Sequence, residues 1–122
     1  MENIKEYLNQ NKTLNFNSLL FNLIDEKGLR DSYVYNKANI DRRLFSKIRC
    51  NNNYVMNKHN IIKLCISLEL NKDDTAKLLN SAGYTLATNN DFDLTISYCI
   101  ENNIYDLNII NDYLYALTNT VL

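Results

Sequence analysis

Residues 39–49 read NIDRRLFSKIR. Asp41 is placed to cap a helix, and Arg42 and Arg43 follow it directly. The start of a helix carries a partial positive charge from its aligned peptide dipoles. Cations there cost about 0.3–1 kcal/mol, and Asp or Glu is the expected choice. Two arginines in that turn make sense if a negative partner outside the protein meets them. Helical spacing divides the stretch cleanly. Leu44, Phe45 and Ile48 form an apolar stripe, Arg42, Arg43, Ser46, Lys47 and Cys50 fall on the opposite face, and Arg49 stands at the border. The pattern predicts a helix over residues 41–50.

Working outward, the apolar spacing stays helical almost throughout. Before the arginines, Asp31 is expected to cap a short helix ending near Ala38, with Val34 and Ala38 on one face. Asn39 is expected in the left-handed conformation, which Asn tolerates best after Gly, and Ile40 to be buried in the turn. Upstream, Phe16, Leu19, Leu20, Leu23 and Ile24 recur at i, i+3, i+4, i+7 and i+8, and Gly28 suits a left-handed C-cap. Ile4, Tyr7 and Leu8 suggest a small extra helix. Downstream, the loop NNNYVMN (51–57) leads to a helix burying Ile61, Ile62, Leu64, Cys65 and Leu68. The next helix is capped near Asn71, with Ala76, Leu78 and Leu79 inside, and stops at Ala82-Gly83. Asn90 or Asp91 then caps a helix carrying Phe92, Ile96, Cys99 and Ile100. Asp106 caps another, with Leu107, Ile110, Leu114 and Leu117 on one face. With no proline and two glycines, the chain lacks the turn residues of β-hairpin proteins. The expected fold is all-α: a compact bundle of five to seven short helices in one domain, residues 1–122. A core unit spans 13–83 and a helical extension 84–122. Phe16, Leu20, Ile40, Phe45, Ile48, Leu64 and Leu79 should share one core.

A chain of 122 residues is long enough to bury such a core. No apolar run reaches the roughly 18 residues that cross a bilayer. The polar start MENIKEYLNQNK has no signal-peptide core, so a cytoplasmic protein is expected. Cys50, Cys65 and Cys99 are odd in number and form no CxxC pair, as in reduced proteins. His59 stands alone and gives no metal-ligand spacing. The abundant asparagines fit turns and caps. Asp73-Asp74 suit a helix start, Ser46 has no neighbouring base, and no Gly-rich phosphate loop occurs. The sequence therefore points away from an enzyme and implies no cofactor or metal.

The formal net charge is -1, but it is unevenly spread. Residues 30–63 hold eight Lys/Arg against Asp31 and Asp41, a balance of +6. Residues 64–122 hold Lys72 and Lys77 against eight Asp/Glu, a balance of -6. A basic middle beside an acidic tail suits one anion-binding face and another kept away from anions.

Two short helices joined by a tight turn, the second cationic on its outer face, form the pattern of a helix-turn-helix. Residues 30–70 resemble the XRE/Cro-type helix-turn-helix domain of bacterial and phage repressors. The likeness rests on Val34-Tyr35, the turn Asn39-Ile40-Asp41 and the run Leu44-Phe45-Ser46-Lys47-Ile48. The later IIKLCISLELNKDDTAKLL is similar to the fourth and fifth helices of that family, and residues 81–117 resemble an extended form of it. The resemblance implies a lambda-repressor-like fold and a small transcriptional regulator binding double-stranded DNA. It puts Arg42, Arg43, Ser46 and Lys47 at base edges in the major groove, with Arg49 beside them. Beside the resemblance, Lys58 and Lys63 are expected to flank that face, as phosphate contacts or equally as plain surface lysines. Three residues differ from the family pattern: Asp31 replaces a phosphate-binding Gln, Tyr35 a small Ala, and Arg49 a frequent Glu. Asp31, Tyr35 and the overall acidity favour the alternative, a protein-protein interaction module or accessory or inhibitor protein on the same scaffold that does not bind DNA. The aromatic and aliphatic surface of residues 92–117 suggests a homodimer through those helices.

Overall fold

The structure is a computed structural model and describes residues 1–51 and 53–122. Asn52, inside the expected 51–57 loop, lies outside the described residues. The described residues form eight helices and no strand: α1 (Glu2–Asn11), α2 (Phe16–Glu26), α3 (Asp31–Lys37), α4 (Arg42–Cys50), α5 (Lys58–Ser67), α6 (Lys72–Ser81), α7 (Asp91–Glu101) and α8 (Leu107–Thr118). None is long and apolar enough to cross a membrane. Helix α1 buries no residue, so the packed bundle runs from α2 to α8.

Asparagine and aspartate start these helices. The side chains of Asn15, Asn57, Asn71 and Asn90 each accept a hydrogen bond from the amide three residues on, at 2.8–2.9 Å. Asp41 and Asp106 accept from the amides two residues on, Arg43 and Asn108, at 2.6 and 2.9 Å. Each cap satisfies an amide that the helix itself leaves open. At the other end a single device closes α2, α3, α5, α6 and α7. A residue with positive φ (Gly28, Asn39, Glu69, Gly83, Asn103) reverses the chain. The next residue (Leu29, Ile40, Leu70, Tyr84, Ile104) then returns its amide to a carbonyl of the last turn and lays its side chain on the core. This is the Schellman motif, which lets a chain without proline end its helices sharply.

All seven residues expected to share the core are buried in one cluster. It also takes in Ile96, Cys99, Ile110 and Leu114 from α7 and α8, so the extension shares the core of residues 13–83. Three local expectations are corrected. Asp31 is the first residue of α3 and not its cap; Arg30 stands at the cap without a side-chain bond, because the Asp31 carboxylate is taken by Arg49. Ala76 is exposed, and its neighbour Thr75 is buried against the core. Leu117 is 64% exposed, since the inner face of α8 is set by Ile110 and Leu114.

Candidate nucleic-acid interface

Helix α4 is held from three sides. Phe45 and Ile48 bury its apolar stripe. The Phe45 ring meets Phe21 of α2 edge-on at 5.8 Å and Tyr35 of α3 at 5.6 Å. Tyr35, the residue that departs from the family's small Ala, is partly buried and packs its ring against Phe45. At the far end, the buried Asn17 of α2 donates through Nδ2 to the carbonyls of Ile48 and Asn51, the latter at 2.8 Å. Asn17 thereby closes the last turn of α4. No sequence pattern announced this, because the bond spans more than thirty residues.

On the outer side, Arg42, Arg43, Ser46, Lys47 and Cys50 are exposed and line one shallow concavity. Among the described residues, Arg42, Arg43 and Lys47 form no ion pair. The first turn of α4 holds no acidic residue, and the only carboxylate at that helix start is Asp41, whose Oδ1 accepts from the Arg43 amide. The positive end of the helix and two guanidiniums thus point the same way. An anion placed there gains from both.

Two of the other expected cations are engaged elsewhere. Arg49 grips Asp31 with two hydrogen bonds, Nε to Oδ2 at 2.7 Å and Nη2 to Oδ1 at 2.8 Å. Its guanidinium also lies 4.0 Å from the Phe21 ring centroid. The pair cancels the Asp31 charge that a phosphate would otherwise meet. Lys58, at the start of α5, donates through Nζ to Asp93 Oδ2 of α7 at 2.7 Å. That oxygen also accepts from the Ala87 amide at 2.7 Å. Burial works to raise the Asp93 carboxyl, but the bonds from Lys58 and Ala87 outweigh it and hold the group below the ordinary aspartate value. Next to this pair, His59 stacks on Phe92 at 4.8 Å between ring centroids. The start of α5 is therefore the clasp between the core unit and the extension. Lys63 lines a separate polar concavity with Asn36, Lys37, Asn39 and Glu69. Of the seven expected contact residues, the structure brings Arg42, Arg43, Ser46 and Lys47 together, ties Arg49 and Lys58 to Asp31 and Asp93, and places Lys63 at a separate concavity.

Among the described residues, no group of three or more His, Cys, Asp or Glu side chains is arranged to hold a metal ion. The cysteines are free thiols; burial pushes Cys65 up to about 12 and raises Cys99, whereas Cys50 is exposed on the α4 face. No protein-family model matches the chain, and neither the curated proteins nor the solved structures contain a significant match to it.

Proposed function

We propose that the chain is a non-enzymatic DNA-binding protein that lays the outer face of α4 in the major groove, acting as a homodimer joined through residues 92–117. One observation carries the reading: four exposed polar or cationic side chains share the first two turns of α4 with no neutralising partner, while neighbouring cations are tied up internally. Arg42 and Arg43 suit guanine O6 and N7, which arginine grips with two bonds, and Ser46 and Lys47 suit adjoining base edges or phosphates. The arginines oppose their own helix dipole in the free protein, and that opposition is relieved when phosphates approach. A small transcriptional regulator of the XRE/Cro type, working in the cytoplasm, fits these parts. The dimer draws support from Leu94, Tyr98, Tyr113 and Leu117, exposed together along α7 and α8.

The test is a titration of random-sequence duplex DNA at two salt concentrations. Binding that weakens at least tenfold between about 50 and 200 mM salt is the expected result, as for several phosphate contacts. A parent protein that binds no duplex at low salt overturns the reading and transfers the same cationic face to an acidic protein partner.

A further inference from the structure

Among the described residues, two clustered apolar surfaces stand exposed. The first is on α1. Ile4, Tyr7 and Leu8 recur at i, i+3 and i+4, so they share one face, and all three are more than half exposed. The second is a shallow groove between α7 and α8, lined by Leu94, Thr95, Tyr98, Tyr113 and Leu117, with Asp91 at its rim. Exposed apolar faces of this kind mark sites of association.

Charge and length match the two surfaces to each other. On a helical wheel Lys5 borders the apolar stripe of α1, while Glu2 and Glu6 lie on the opposite side. The groove belongs to the half of the chain with a balance of -6 and carries Asp91 at its edge. The stripe thus brings a lysine toward an acidic rim and turns its own carboxylates away. Ten residues of helix span about 15 Å. The groove follows α7 from Asp91 to Tyr98, about 10 Å, long enough for the roughly 6 Å of helix between Ile4 and Leu8. The link from α1 to α2 is the extended segment Lys12–Asn15, in which Lys12 and Asn15 adopt β-region backbone angles.

We propose that α1 is an exchange arm that seats its Ile4, Tyr7 and Leu8 stripe in the α7–α8 groove of a second copy of this chain. Each copy gives one arm and receives one, so the contact is reciprocal and closes at two chains. The inference deepens the dimer in the proposed function by naming what fills its interface, and it does not depend on DNA.

The experiment mixes two full-length variants under mild oxidation, one with Leu8→Cys and one with Leu117→Cys, both in a Cys50→Ser background. Cys65 and Cys99 are buried and stay out of the reaction. A disulfide-linked pair of unlike chains is expected. In parallel, sedimentation of Ile4→Glu/Leu8→Glu should show dimerisation weakened by roughly 10,000-fold or more, because each of the two reciprocal arms loses two buried aliphatic side chains. Because α1 buries nothing in its own chain, this variant keeps the packed α2–α8 bundle, and its melting curve should match that of the parent diluted to monomer. A parent that sediments as a monomer overturns both the arm and the dimer. A dimer that survives the double Glu substitution overturns the arm alone. A Leu8→Cys/Leu117→Cys chain that closes only on itself also overturns the exchange, placing the arm on its own groove. The salt-dependent DNA titration stays independent of all three results.

Discussion

The two ends of α4 carry the same residue type in opposite circumstances. At its first turn, Arg42 and Arg43 stand exposed, against the helix dipole and without an ion pair among the described residues. Two turns later Arg49 is gripped by Asp31 and laid over Phe21. The second arginine is explained by the domain itself. The first two have no such partner among the described residues. A cation's partners, and not its presence on a helix, separate a side chain that builds the fold from one held ready for a ligand. Lys58 extends the contrast, since it sits at a helix start like Arg42 yet is consumed by Asp93.

The largest effect should come from the exposed pair. Replacing Arg42 and Arg43 with Glu should reduce DNA affinity by 100-fold or more, from two base-edge contacts of about 1–3 kcal/mol each. The melting temperature should hold or rise slightly, because acidic residues suit a helix start by about 0.3–1 kcal/mol. A DNA titration beside a melting curve reads both. If the double variant unfolds, the two ends of α4 do not differ after all.

Next comes the clasp. Asp93→Ala leaves Lys58 and the Ala87 amide without their acceptor and should cost about 3 kcal/mol in urea unfolding. The same group gives the parent an acid limit. Its folded pKa lies below the unfolded value of about 4, so its contribution is fully present above that pH and lost as pH falls through the folded value. An Asp93→Asn protein should lose that part of the acid dependence, which a series of melts from neutral to acid pH would reveal.

Asn17→Ala should cost about 2 kcal/mol by leaving the Ile48 carbonyl buried without its donor and freeing the part-buried Asn51 carbonyl. Calorimetry measures the loss, and a change within error would mean water replaces the amide at no penalty. The smallest effect belongs to Arg49→Ala. Its pair with Asp31 is 48% and 35% exposed, so screening leaves little ionic gain, and with the Phe21 contact the total is about 1 kcal/mol. DNA affinity should be unchanged while the protein stays folded. A fall in affinity as large as that of the Arg42/Arg43 variant would erase the distinction between the two ends.

The local grammar of this fold was legible in the sequence. Asp41, Asn71 and Asp106 cap where their spacing indicates, and Asn39 and Gly28 take positive φ as expected. Glu69 was missed in that role because glutamate has no preference for the left-handed region. What could not be read depended on distant partners. Asp31 has the look of a cap until Arg49, eighteen residues on, is folded against it. Asp93 has the look of an ordinary first-turn acid until Lys58 and Ala87 surround it. The cationic face was legible as a list of side chains, but not which of them the domain would consume.

Asn17 also bears on how α4 would meet a partner. With that amide fastening its last carbonyls and Asp41 fastening its first amide, the helix has little conformational freedom left to surrender. A segment that orders only on contact gives up about 1–2 kcal/mol of backbone entropy per residue. This one arrives preorganised. Its association should resemble the meeting of two rigid bodies, with a heat-capacity change no larger than the contact area accounts for. Encounter would then be governed by long-range attraction between charges, and a change in ionic strength should act first on the association rate.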